Sequence, residues 1–157
     1  ADRLRSIQEP AIGYAIRRNV ALKTAVVEAD ERETGIRAYL NYGHTLGHAI
    51  ERVENYTWRH GEAISVGMCF VAELSRRVGR LNADVAARHA VVLGSLGLPT
   101  SYRPDAWPAL REAMNLDKKT RGASLRFVIL DDLAQAAILT DADEEDLVAA
   151  YLALGQA

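Results

Sequence analysis

Apolar residues recur along most of this chain with a helical period. From Pro10 to Glu28 the residues Ile12, Ile16, Val20, Val26 and Val27 supply one side of a helix, and proline suits its first turn. The polar run Asp30-Glu-Arg-Glu-Thr-Gly35 ends it. The pattern predicts a second helix from about Ile36 to Glu54 and a third from about Gly61 to Val78, stopped at Gly79. Asn82 to Leu96 has an N-cap candidate in Asn82 and a Gly97-Leu-Pro stop beyond it. Asp105 to Met114 is a shorter helix. After Lys118-Lys119 the period changes, and Leu125–Leu130 and Gln135–Leu139 read as two short strands joined by Asp131-Asp-Leu-Ala. The last helix starts near Asp141, with Glu144 three residues on as in a capping box, and fades around Leu154. The expected fold is mainly α, a multi-helix domain over residues 1–157 with one small β-hairpin. No βαβ alternation and no Gly-rich nucleotide loop occurs, so the chain has no dinucleotide fold of its own.

Composition narrows the class without naming a function. With 49% apolar and 25% charged residues, a chain of 157 residues can bury a respectable core. A net charge of −2 gives no electrostatic reason to expect nucleic acid as a partner. No apolar run reaches the roughly 18–20 residues of a membrane span, and Ala1-Asp-Arg-Leu-Arg-Ser lacks the form of a signal peptide. The single Cys69, in the apolar run Val66-Gly-Met-Cys-Phe-Val-Ala, excludes an internal disulfide and reads as a small buried hydrophobe. A reducing, cytoplasmic setting fits these features. Trp58, Trp107 and the tyrosines read as core or packing residues, and His89 as a surface or capping residue.

The candidate chemistry lies between Arg37 and His60, where three of the four histidines fall. On a continuous helix Arg37, Asn41, His44 and His48, at steps of four, three and four, share one narrow stripe. Such a stripe normally carries the apolar seam. A cation, an amide and two imidazoles offset their desolvation there only by binding something. The spacing of His44 and His48 suits helix-borne zinc ligands, and His60 can supply a third nitrogen, for a metal or an anion. The metalloprotease motif is excluded, because Thr45 stands where it needs Glu. Gly43 and Gly47 on a neighbouring face allow another backbone to approach closely. Lys23, Arg37, Lys118 and Lys119 are dispersed cations which, if they converge, suit a phosphate or carboxylate.

Leu40-Asn-Tyr-Gly-His-Thr-Leu-Gly-His-Ala-Ile-Glu51, followed by His60-Gly-Glu-Ala, strongly resembles 3-dehydroquinate synthase of the sugar phosphate cyclases. Lys23-Thr-Ala-Val-Val, Glu33-Thr-Gly-Ile-Arg37, Gly97-Leu-Pro, Asp117-Lys-Lys and Leu125-Arg-Phe-Val-Ile-Leu extend the match over residues 20 to 130 in the family's order. The resemblance implies the helical C-terminal domain of that fold. It also implies conversion of 3-deoxy-D-arabino-heptulosonate 7-phosphate to 3-dehydroquinate and phosphate, in the shikimate pathway to aromatic amino acids. Family members use catalytic NAD and a divalent metal, usually zinc. Carried over by motif, His44 and His60 become metal ligands that also meet the substrate, whereas His48 sits by the phosphate and transfers a proton. Glu33 matches a proton acceptor, and Lys23, Arg37, Asn41 and one of Lys118 and Lys119, with a preference for Lys118, hold the substrate.

An N-terminal NAD-binding α/β domain, present in the family, is expected to lie outside this chain, along with a glutamate as third metal ligand. The chain alone is therefore expected to be inactive and to bind zinc poorly, since catalytic zinc generally has three protein ligands. At full length a homodimer is expected. Competing readings are a sister cyclase such as an aminodehydroquinate synthase, a non-catalytic helical metal-binding module, and a metal-dependent alcohol dehydrogenase. The Gly-His-Thr-Leu-Gly-His and Asp-Lys-Lys motifs argue against the dehydrogenase.

Overall fold

A computed structural model describes residues 2–33, 35–121 and 124–154, with the backbone alone described at 3, 5 and 117–121. The chain runs through α1 (Asp2–Arg5), α2 (Ala11–Ala29), a 3₁₀ segment (Ile36–Asn41), α3 (His44–Val53), α4 (His60–Arg77) and α5 (Ala83–Ser95). A short 3₁₀ turn (Pro104–Ala106), α6 (Trp107–Arg121), strands β1 (Arg126–Asp132) and β2 (Gln135–Thr140), and α7 (Glu144–Ala153) follow. The mainly helical fold with one antiparallel hairpin is as expected.

Helix α4 is the axis. It is buried on nearly all sides from Ala63 to Ser75, as its almost continuous apolar sequence requires. It packs against α3, α5, α7 and β1, while α6 closes on α3. Phe70 of α4 meets Phe127 of β1 with ring centroids 5.9 Å apart, and Leu46, Ile50, Leu110 and Leu147 fill the space around them. The Ser75 hydroxyl donates to the Val71 carbonyl at 2.5 Å and accepts from Leu130 N–H at 3.2 Å, joining α4 to the hairpin. Cys69 is buried, as its apolar neighbourhood predicts. Asn82 caps α5 by accepting from Asp84 N–H at 2.8 Å.

Several expectations need correcting. The helix predicted from Ile36 to Glu54 is broken: the 3₁₀ segment stops at Asn41, Tyr42 is extended (ψ 120°), and Gly43 takes φ +80° before α3 begins. The cause is a tertiary contact. A Cβ at Gly43 would lie 2.6 Å from Met68 N, and one at Gly67 would lie 2.0 Å from the Gly43 oxygen, so α4 presses directly on this turn. Helix α6 continues well past Met114. Helix α7 starts after Asp143 with no side-chain cap, and Asp141 has φ +54°. Glu144 instead accepts from Trp107 Nε1–H at 3.2 Å and Arg111 Nε–H at 2.7 Å. Helix α2 buries no residue; Ile16 and Val20, part of its expected apolar side, are exposed. Tyr102 and Tyr151 pack as expected, but Tyr14 and Tyr56 lie at the surface.

Candidate active site

The glycine contact between α3 and α4 brings the three histidines together. A Cβ on Gly47 would lie 2.5 Å from Ile64 Cδ1, and one on Gly67 would lie 3.1 Å from Gly47 N. The close backbone approach expected at Gly43 and Gly47 is therefore present. His44 opens α3, His48 follows one turn later, and His60 opens α4. Their ring centroids lie 5.2 Å (His44–His48), 5.3 Å (His44–His60) and 5.9 Å (His48–His60) apart. Beside them is a cleft of about 430 Å³, lined by His48, Glu51, Arg52 and His60 and floored by Ala113 and Met114 of α6.

Hydrogen bonding distinguishes the three rings. His44 Nδ1 lies 3.2 Å from the Tyr42 carbonyl, an oxygen that can only accept. His60 Nδ1 lies 3.0 Å from Glu51 Oε1, which as a carboxylate also only accepts. These partners assign the proton to Nδ1 on both rings and leave both Nε2 lone pairs free to ligate. Among the described residues no hydrogen bond anchors the exposed His48 ring. Burial lowers the pKa of His44; the Tyr42 carbonyl opposes this, the neighbouring His48 and His60 reinforce it, and Glu51 weakly opposes it. Burial thus favours the neutral form of His44.

The donor set suits a divalent cation of borderline softness. His48, Glu51 and His60 bring one donor atom each within 4.8 Å of one another. That group does not include His44, although the His44 ring lies 5.2 Å from His48 and 5.3 Å from His60. The anchored Nδ1 atoms of His44 and His60 follow the pattern in which an outer oxygen orients each imidazole ligand. Glu51 was not singled out from the sequence. Its signal was present, as a carboxylate three residues after His48 on the same helix face.

The stripe expected on one helix is divided. Arg37 and Asn41 lie on the 3₁₀ segment and form a second cluster with Glu33. Asn41 Nδ2–H donates to Glu33 Oε1 at 2.7 Å, and Arg37 Nε lies 4.0 Å from Glu33 Oε2. The Asp30 carboxylate accepts from the N–H groups of Gly35 (2.7 Å) and Arg37 (3.0 Å), and the Arg37 guanidinium donates to the Glu31 carbonyl at 2.7 Å. His44 lies three residues along the chain from Asn41, a reach of at most about 11 Å between their Cα atoms. Lys23 is exposed on α2, which packs chiefly on α1 and the 3₁₀ segment. Lys118 and Lys119 fall in the last turns of α6, with side chains outside the described residues. His89 is no solitary surface residue. Its Nδ1–H donates to the Val85 carbonyl at 2.9 Å, so Nε2 accepts from the Tyr42 hydroxyl at 3.1 Å.

A family profile described as "3-dehydroquinate synthase C-terminal" matches residues 1–120. The 3-dehydroquinate synthase of Thermobifida fusca is 60% identical over 139 residues, covering 88% of this chain and 38% of that protein. That of Streptomyces avermitilis is 52% identical over 147 residues, covering 94% of this chain and 40% of the relative. The chain thus spans about two fifths of the length of these curated relatives. Among solved structures, 2-epi-5-epi-valiolone synthase from Streptomyces hygroscopicus, with NAD+ and Zn2+ bound, superposes with a TM-score of 0.80 at 22% identity. The match covers 94% of this chain and 41% of that one, and shows a shared fold. A 2-deoxy-scyllo-inosose synthase complexed with carbaglucose-6-phosphate, NAD+ and Co2+ has a TM-score of 0.72 at 25% identity, over 85% of this chain and 40% of its own.

Proposed function

We propose, from the premise that the chain belongs to the 3-dehydroquinate synthase C-terminal family, that it forms the metal- and substrate-binding wall of a 3-dehydroquinate synthase. The reaction is conversion of 3-deoxy-D-arabino-heptulosonate 7-phosphate to 3-dehydroquinate and phosphate, in a cytoplasmic enzyme that assembles as a homodimer. The observation that carries the reading is the pair of rings at His44 and His60, 5.3 Å apart and each anchored at Nδ1 by an accepting oxygen.

His44 and His60 would hold a divalent metal through Nε2, and the metal would favour the alkoxide form of the alcohol being oxidised. NAD, which would take up and later return the hydride, would be held by parts of the protein outside this chain, as would the third ligand. His48, unanchored at the edge of the cleft, is free to address the phosphate and move a proton during its departure. Arg37 presents a planar donor set for a carboxylate or phosphate, and Asn41 adds an amide donor. Glu33, bonded to Asn41 and close to Arg37, orients both and can accept a proton. Lys23 and one of Lys118 and Lys119 complete the anion-binding set. The 60% and 52% identical relatives are both 3-dehydroquinate synthases, which favours this substrate over that of a sister cyclase.

The test is phosphate release from 3-deoxy-D-arabino-heptulosonate 7-phosphate. The chain alone, with NAD and zinc, should show no turnover. Mixed with the part of the Thermobifida fusca enzyme outside the match, it should recover turnover, and His44→Ala or Arg37→Ala should abolish it. Turnover by the chain alone, or full activity of either variant in the mixture, would sink the corresponding assignment.

A further inference from the structure

Glu51, one of the three residues whose donor atoms converge at the cleft, is neither of the two ligands of the proposed reading nor part of its substrate-binding set, yet it makes the most direct polar contact to a histidine of the cleft. Its carboxylate is largely shielded, with the side chain 13% exposed, whereas the His60 side chain is 56% exposed. His60 is the first residue of α4, where no preceding helical turn restricts its ring. Glu51 Oε1, 3.0 Å from Nδ1, is the polar contact that fixes this ring. As a single hydrogen bond to a half-exposed partner it contributes little to stability. Its effect is directional. Free neutral imidazole favours the proton on Nε2, the atom a metal needs bare, and an acceptor placed at Nδ1 reverses that preference.

We infer that Glu51 is a positioning residue for the metal site: it holds His60 as the Nδ1–H tautomer, the form in which Nε2 would be free to ligate a cation. The inference rests on the reading of His44 and His60 as ligands. The same bond orients a ligand whose own element gives it no anchor, just as the Tyr42 carbonyl orients His44. Loss of such an outer-shell partner typically weakens metal affinity about 10–100-fold.

Two measurements on the 157-residue chain test it. Long-range proton–nitrogen spectra of the imidazoles, recorded without metal at a pH where the rings are neutral, should show His60 protonated at Nδ1. Glu51→Ala should shift it towards Nε2–H and leave His44, held by a backbone carbonyl, unchanged. Titration with Co2+ should then show affinity falling about 10–100-fold in Glu51→Ala and less in Glu51→Gln, whose amide oxygen still accepts. The absorption band shape should not change. A His60 already protonated at Nε2, or one indifferent to Glu51→Ala, overturns the inference. A Co2+ spectrum altered in shape by Glu51→Gln also overturns it, since Glu51 would then be a ligand. Unchanged Co2+ binding in His44→Ala or His60→Ala refutes the ligand reading instead, and the tautomer result is separate from that failure.

Discussion

At the scale of single residues, burial sets the chemistry of Cys69 as firmly as hydrogen bonds set that of the histidines. Burial raises the Cys69 thiol to about 11, from 9.0. The neutral thiol is then the folded-state form at pH 8, and it should react with a disulfide reagent only after denaturant is added. Rapid labelling of the folded chain would contradict this. The alkaline limb of stability follows with a definite sign. Below about pH 9 the thiol is protonated in both states and changes nothing. Between pH 9 and 11 the unfolded chain loses the proton and the folded chain keeps it, so stability falls, by about 2 kcal/mol at pH 11. Tyr42, raised first by burial and then by proximity to Cys69, adds a loss of the same sign above pH 10. Thermal melts from pH 8 to 11 should show a steeper decline for the wild-type chain than for Cys69→Ala. At this scale the sequence displayed the reactive groups but not what orients them. The spacing of His44, His48 and His60 was legible, whereas the Tyr42 carbonyl and Glu51 act through positions created only when the chain folds.

At the scale of elements, the glycines of the α3–α4 crossing decide whether the site exists. A Cβ at Gly67 would be 2.0 Å from the Gly43 oxygen, a backbone atom that cannot swing aside. Gly67→Ala should therefore separate the helices and lower the denaturation midpoint by the equivalent of roughly 1–3 kcal/mol or more. His44 and His60 would move apart, and Co2+ affinity should fall with them. Gly61, one residue after His60, is different, because a Cβ there would meet nothing within 4 Å. Gly61→Ala should stabilise the chain by about 0.4–1 kcal/mol through the unfolded state, leaving the site intact. Equal midpoints for the two variants would refute this account of the crossing. The same contact explains why the sequence pattern misleads most in this region. The residues from Ile36 to Glu54 read as one helix, and the break falls at Gly43, where α4 makes its close backbone approach. Where local signals sufficed, at the Asn82 cap and the hairpin, the elements fall within a few residues of expectation.

At the scale of the whole molecule, the core is distributed over α3, α4, α6, β1 and α7, and α2 has no share in it. Local stability follows the number of buried apolar contacts, so the chain should not open as one unit. In native-state hydrogen exchange the amides of α4, such as those of Phe70 and Val71, should approach the global unfolding free energy. Those of α2 should exchange with little protection beyond their helical hydrogen bonds, even though the chain is dilute and fully folded elsewhere. Protection in α2 equal to that in α4 would mean that its exposed side, with Ile16 and Val20, is covered in solution. The consequence for function runs through Lys23, which α2 carries. His44, His60 and Glu51 stand on elements that the core fixes, and Arg37 and Asn41 are tied by Asp30 and Glu33. Lys23 has only the weakly held helix beneath it. On the proposed function, the metal-binding half of the wall is pre-formed in this chain and the Lys23 part is not. Mixing with the remaining part of the Thermobifida fusca enzyme should therefore slow exchange in α2 and leave α4 unchanged, and a constant α2 rate in the active mixture would exclude Lys23 from the substrate-binding set.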